Sequence, residues 1–167
     1  AETVVRCYQE KHSLGRIGIS TTGQVDPVEG RILYANQNVP GYTGMCVRKH
    51  MEEVFGLPVV VENDVNAAGI GEAIFGAGVG ERDFLCMTIG TGIGGAVFLD
   101  GRLYRGSSFS AGEFGAMVMY PGQRDVKEDM FGGCYEKFAS AAALVERVRR
   151  VCPQLTDGRA VFASLER

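Results

Sequence analysis

Residues 84–104 constrain the fold more than any other stretch of this chain. The apolar run 84–89 breaks into Gly90-Thr91-Gly92-Ile93-Gly94-Gly95, resumes through Leu99, and turns at Asp100-Gly101 before Arg102-Leu103-Tyr104. Its continuous apolar character makes 84–89 read as a buried strand. Asp-Gly between two strand-like runs is a two-residue hairpin signal. Gly90, Gly92 and Gly95 satisfy G-x-G-x-x-G, but a dinucleotide site needs a helix directly after the glycines, with its N-terminus on the pyrophosphate. Here a strand follows, so the unit is strand, glycine turn, strand. Two readings of the turn stay open. Its N–H groups and the Thr91 hydroxyl can cradle phosphate, because no Cβ blocks an anion; or the glycines allow close packing against another backbone.

The rest of the chain alternates strand and helix. Strands are expected at 17–20, 31–35 and 58–61, with a turn over 22–27. Thr43 is placed to N-cap a helix whose apolar positions Val47, Met51, Val54 and Phe55 recur at helical spacing, stopped by Gly56 and Pro58. A second helix starts at Asp64 or Val65 and runs to about Phe75. A long third one spans 135–150, with Phe138, Ala142, Val145 and Val148 on one face. A hairpin among alternating strands and helices predicts an α/β fold whose sheet is not purely parallel. The 24 glycines, about twice the usual ~7% share, sit in turns instead of a linker, and no repeat divides the chain.

Charge and cysteine usage exclude several classes. The net charge is −3 and the largest basic cluster is Arg147-Val148-Arg149-Arg150, at a helix end where the dipole favours cations. No nucleic-acid surface is expected from this segment. No apolar run approaches the ~20 residues that span a bilayer. The five cysteines are scattered without a C-x-x-C pair, which fits reduced thiols in a cytoplasmic protein.

The chemistry concentrates in Val61-Glu62-Asn63-Asp64-Val65-Asn66-Ala67-Ala68. A strand ends there in an amide and a carboxylate where a helix begins. Asp64 is either the helix N-cap or a positioned base. Downstream, Glu113 lies between glycines in Ala111-Gly112-Glu113-Phe114-Gly115, and Glu136 opens the last long helix. Carboxylates and amides gathered at element ends suit a polyhydroxylated ligand, since each hydroxyl both donates and accepts.

In combination, Ile19-Ser20-Thr21-Thr22-Gly23-Gln24-Val25-Asp26, Asn38-Val39-Pro40-Gly41-Tyr42, the 62–68 motif, the 90–95 turn and the 111–115 motif resemble the ROK family. These are sugar kinases and sugar-responsive repressors of the hexokinase/actin-type ATPase fold. The resemblance covers about residues 17–140. It implies an RNase H-like mixed sheet with flanking helices, a small-molecule sugar in a cleft, and ATP with Mg²⁺ beside it. Asp64 then resembles the base that takes a proton from the sugar hydroxyl. Asn63, Glu113 and Glu136 resemble sugar ligands, with Asn38 a weaker match. Gly90, Thr91, Gly92 and Gly94 resemble the second phosphate motif.

Departures from the family pattern shape the expectations. Ala116 stands where most members carry a zinc-binding His, and of the zinc cysteines only Cys134 matches. One thiol cannot build a four-coordinate site, so no structural zinc is expected, as in the branch resembling β-glucoside or other sugar kinases. The exposed excursion 121–131 must then be held by packing and hydrogen bonds. The family's opening Asp-x-Gly-Gly-Thr phosphate motif and closing Gly-Gly adenosine segment have no match here. Residues 1–167 are therefore expected to be the central part of a longer sugar kinase, incomplete at both ends, with self-association through uncovered apolar faces. The alternatives left open are the sugar-sensing domain of a repressor and an inactive scaffold domain.

Overall fold

A computed structural model describes residues 2–35, 39–123, 127, 129 and 131–165. The first helix, α1 (Glu2–Gln9), has no buried residue. It is held by a 2.8 Å contact from Glu2 to His50 and by Arg6 over the Phe55 ring. Strand β1 (Ile17–Thr21) pairs in parallel with β4 (Val59–Asn63), from Ile17 opposite Val59 to Thr21 opposite Asn63. A parallel pair needs a crossover. The antiparallel hairpin β2 (Gln24–Asp26) and β3 (Arg31–Tyr34), followed by α2 (Val47–Phe55), supplies it. Ile17, Val25, Ile32, Val47, Met51, Val59 and Val61 form the buried core of this half. The Arg48 guanidinium ties it together by donating to the carbonyls of Pro27, Val28 and Val59.

β4 passes directly into α3 (Asp64–Phe75), which packs on a three-stranded antiparallel meander of β5 (Phe84–Ile89), β6 (Ile93–Leu99) and β7 (Arg102–Tyr104). Phe84 stacks on Phe98 across the β5–β6 pair, with ring centroids 4.4 Å apart. A short 3₁₀ turn, Phe114–Ala116, lies against β6, and α4 (Glu136–Ala139), α5 (Ala141–Val151) and α6 (Gly158–Leu165) follow. The mixed α/β architecture and the strand–turn–strand unit at 84–99 match the sequence expectation.

Four local expectations are corrected. The long helix over 135–150 is two helices. Ser140 is extended at φ −70° and ψ 159° and caps α5 by accepting from the Ala143 N–H at 3.1 Å. The break frees the Ala141 N–H to donate to the Gly90 carbonyl at 2.9 Å, an exchange of helical for tertiary hydrogen bonding. Thr43 does not cap α2, which starts after Cys46; its hydroxyl exchanges hydrogen bonds with the Ala35 backbone instead. Half of the stretch 22–27 is strand: a bend at 22–23 leads into β2, and the turn falls at 27–30, where the Asp26 carboxylate accepts from the N–H groups of Val28 and Glu29. Finally, β5 is not buried on both faces. Phe84, Cys86 and Thr88 are half-buried, while Leu85 is 63% exposed and Met87 and Ile89 are open as well, because α3 covers one face only. Within the excursion 121–131, residues 124–126, 128 and 130 lie outside the described residues.

Candidate functional site

The junction of β4 and α3 is built almost entirely by Asn63. Its Oδ1 accepts from the N–H groups of Val65 and Asn66, at 2.9 and 3.1 Å, which makes it the N-cap of α3. Its Nδ2 donates to the Gly23 carbonyl and to Asp64 Oδ1, both at 3.0 Å. An amide has two donors and two acceptor positions, and all four are used. Asn63 is thus a mount. Asp64, relieved of capping, is exposed at the first helical position with Oδ1 held by Asn63 and by the Val65 N–H. Its Oδ2 has no hydrogen-bond partner among the described residues.

Glu62 braces this junction from behind. Its Oε1 accepts from the N–H of Asn63 and from Asn66 Nδ2, and its Oε2 takes two donors from Arg105, at 2.6 and 3.1 Å. The Glu62 side chain is only 14% exposed, so the pairing satisfies a carboxylate that burial would otherwise penalise. Arg105 opens the segment that leads to Glu113, and its carbonyl accepts from Ala111 N. Gln24 fastens the same segment from the other side, donating to Ser108 O and Ser110 Oγ.

The glycine turn lies against the start of α3. A Cβ on Gly94 would stand 2.6 Å from Val65 Cγ2, and one on Gly95 would fall 2.2 Å from the Phe114 ring. Glu136 Oε2 accepts from the Ile93 N–H at 2.8 Å and occupies the space a Gly92 Cβ would need, at 2.3 Å. Gly94 and Gly95 are therefore required by packing, whereas a side chain at Gly92 would push the Glu136 carboxylate aside. Gly90 differs: nothing lies within 4 Å of its Cβ position. Its N–H closes the turn on the Gly92 carbonyl at 2.9 Å. The N–H groups of Thr91 and Gly92 and the Thr91 hydroxyl have no partner among the described residues.

Glu113 precedes the 3₁₀ turn, and Gly112 brings that segment against β6. Desolvation first, then the neighbouring carboxylates of Glu136 and Asp64, push the Glu113 pKa above the usual carboxylate range. Glu136 Oε2 lies against Gly92 and Gly115, and Val65, next to Asp64, lies against Gly94, so Asp64, Glu113 and Glu136 come from segments that meet beside the turn. Glu136 Oε1, unlike Oε2, has no partner among the described residues. Asn38 lies outside the described residues. Among the described residues no cluster of three or more His, Cys, Asp or Glu side chains is arranged to hold a metal ion, and Cys134 is packed inside at 1% exposure. Sequence reasoning missed the Glu62–Arg105 pair and Gln24. No helical or strand periodicity links Glu62 and Arg105, which are 43 positions apart.

Comparison with known proteins gives one consistent family. The ROK family profile matches residues 1–167. A β-glucoside kinase of Listeria monocytogenes is 44% identical over 101 residues, 60% of this chain and 34% of that protein. A xylose repressor of Caldicellulosiruptor bescii is 31% identical over 162 residues, 95% of this chain and 39% of that protein. A crystal structure of a ROK family glucokinase from Streptomyces griseus, in complex with glucose and AMPPNP, superposes with a TM-score of 0.81 at 30% identity. That match covers 99% of this chain and 58% of the glucokinase. The chain spans about half the length, or less, of the curated relatives it matches. The chain belongs to the ROK family, and its fold is that of the family's hexokinases and glucokinases. No helix is long and apolar enough to cross a membrane among the described residues.

Proposed function

We propose that this ROK chain is the central part of an ATP-dependent kinase for a sugar hydroxyl, on a hexose or a glycoside, with Asp64 as general base. The observation that carries the reading is the unpaired Oδ2 of Asp64. The Asn63 amide, both Glu62 carboxylate oxygens and Asp64 Oδ1 are committed to structure, whereas this oxygen is held at the surface of the site beside the glycine turn. A base for phosphoryl transfer has to be fixed in place and still free to take a proton.

In this mechanism Asp64 Oδ2 receives the proton of the attacking hydroxyl. Glu113 and Glu136 Oε1 accept from other hydroxyls of the sugar, and those donors stabilise the Glu113 carboxylate against the desolvation and neighbouring charge that raise its pKa. The unpartnered N–H groups of Thr91 and Gly92 and the Thr91 hydroxyl fit phosphate oxygens, and the open side of Gly90 lets them approach. Bound ATP with Mg²⁺ supplies the phosphoryl group and neutralises its charge. Asn63 acts here by orienting Asp64. The xylose repressor relative supports a second reading, a sugar sensor in a longer regulator. A sensor has no need of a free base or of a turn with open N–H groups, so both features favour the kinase.

The test is Asp64→Asn in the whole protein, assayed for sugar-dependent ATP turnover and for binding of D-glucose or a β-glucoside. Asn is isosteric and still hydrogen-bonds a hydroxyl but cannot take its proton. Turnover should fall by ~10²-fold or more while sugar affinity changes little. Turnover near the wild-type rate would remove Asp64 from the role.

A further inference from the structure

Glu136 has two carboxylate oxygens in different circumstances. Oε2 is fixed against the glycine turn, accepting from the Ile93 N–H at 2.8 Å. The same atom sits where a Cβ on Gly92 would need to be, at 2.3 Å, and 3.1 Å from the Cβ position of Gly115. It is wedged between the turn and the segment that carries Glu113. Oε1 is without a partner among the described residues and belongs to the three-carboxylate group around Glu113. The helix that presents Glu136 is tied to the turn a second time, through the break at Ser140, where the Ala141 N–H donates to the Gly90 carbonyl. The first residue of α4 and the first residue of α5 thus both hold the turn.

We propose that Glu136 is a strap that couples the two ligand sites: one oxygen takes a sugar hydroxyl while the other sets the conformation of the 90–95 turn. Occupation of either site then favours the other. The proposal rests on the kinase reading and adds to it, because a carboxylate that only contacts sugar would not influence nucleotide binding. Toward the nucleotide, Glu136 is a positioning residue acting through the Ile93 N–H. Reciprocity is a thermodynamic requirement: whatever factor the sugar contributes to nucleotide affinity, the nucleotide contributes to sugar affinity. Gly92 is the matching device on the turn side. Any side chain there would displace Glu136 Oε2 and so disturb a sugar ligand from the phosphate side.

The experiment uses the whole protein and measures each ligand in the absence of the other, and the nucleotide analogue again in saturating D-glucose. There wild type should bind the analogue at least about fivefold more tightly, and Glu136→Ala should lose that gain. No gain in wild type overturns the coupling. A non-hydrolysable ATP analogue is titrated into sugar-free wild type, Glu136→Ala and Glu136→Gln, and D-glucose into nucleotide-free wild type and Gly92→Ala. Thermal unfolding establishes that each variant is folded. Glu136→Ala should weaken the analogue at least about fivefold, and Glu136→Gln should restore it to within about twofold, since the amide oxygen still accepts from Ile93 N–H. Gly92→Ala should weaken glucose binding by about fivefold or more. Analogue affinity unchanged in Glu136→Ala, or equal loss in both Glu136 variants, overturns the strap. So does glucose affinity unchanged in a folded Gly92→Ala. These outcomes leave the kinase reading standing when wild type phosphorylates sugar. A wild type that binds no nucleotide sinks the kinase reading and the strap together.

Discussion

The β4–α3 junction and the β5–β6 turn meet in the same site but divide structural and chemical work differently. At the junction the division is between atoms. Asn63 spends four hydrogen-bonding positions on its mount, Glu62 is filled by Arg105, Asn66 and the Asn63 N–H, and one oxygen of Asp64 is left over. At the turn the division is between residues. Gly94 and Gly95 are demanded by Val65 and Phe114, whereas Gly90 has open space, Thr91 an unpartnered hydroxyl and Gly92 an unpartnered N–H beside the Glu136 carboxylate. In both places the atoms left open to a ligand are those that packing and secondary structure have not used. A motif read as a block would give every residue the same role, and the geometry does not.

The largest effect that would sharpen this contrast lies within the turn. Gly95→Ala places a methyl group 2.2 Å from the Phe114 ring and 2.7 Å from the Gly112 carbonyl. It should destabilise the protein by about 3 kcal/mol, the upper part of the overpacking range. Gly90→Ala meets nothing within 4 Å and should stay within about 0.5 kcal/mol of wild type. Equal losses for the two in chemical denaturation would break the division drawn between packed and open glycines.

A smaller effect is expected at the junction. Asn63→Ala removes the N-cap of α3, and a lost cap costs typically ~1 kcal/mol. Its Tm should fall accordingly, by about 2–4 °C for a chain of this size, and an unchanged Tm would show that Asn63 is not the mount.

The smallest effect concerns Glu113. Its folded-state pKa is raised above the unfolded value, so the folded state keeps the proton to higher pH and stability declines as pH rises through that window. Glu113→Gln should therefore raise Tm at neutral pH. The gain should vanish below about pH 4, where the wild-type carboxyl is protonated in both states. A gain independent of pH would assign the effect to packing and not to the Glu113 charge, which desolvation and then the carboxylates of Glu136 and Asp64 disfavour.

How far the site was legible in the sequence follows the same line. The strand–turn–strand unit was readable because its signals are local: glycines after an apolar run, and Asp100-Gly101 after the next. The strand-to-helix junction at Asn63 and Asp64 was readable for the same reason, although which residue caps was not. That choice depends on the Gly23 carbonyl, 40 positions away, which takes one of the Asn63 donors. The break at Ser140 was hidden because Phe138, Ala142, Val145 and Val148 keep an unbroken helical period. Only the tertiary bond from Ala141 to Gly90 shows what the chain gains by leaving it. The open face of β5 was hidden in another way: alternating exposure is invisible when the exposed Leu85, Met87 and Ile89 are as apolar as the half-buried Phe84 and Cys86. The roles of Glu62 and Arg105 came from the fold alone.

Asn63 and Asp64, adjacent in sequence, differ in what they do, and one paired measurement reaches that difference directly. Tm and sugar-dependent turnover are determined side by side for Asp64→Asn and Asn63→Ala in the whole protein. The account predicts that Asp64→Asn keeps its Tm within about 2 °C while losing ~10²-fold or more in turnover, and that Asn63→Ala loses Tm. An Asp64→Asn protein that turns over at the wild-type rate, or that loses as much stability as Asn63→Ala, would contradict it.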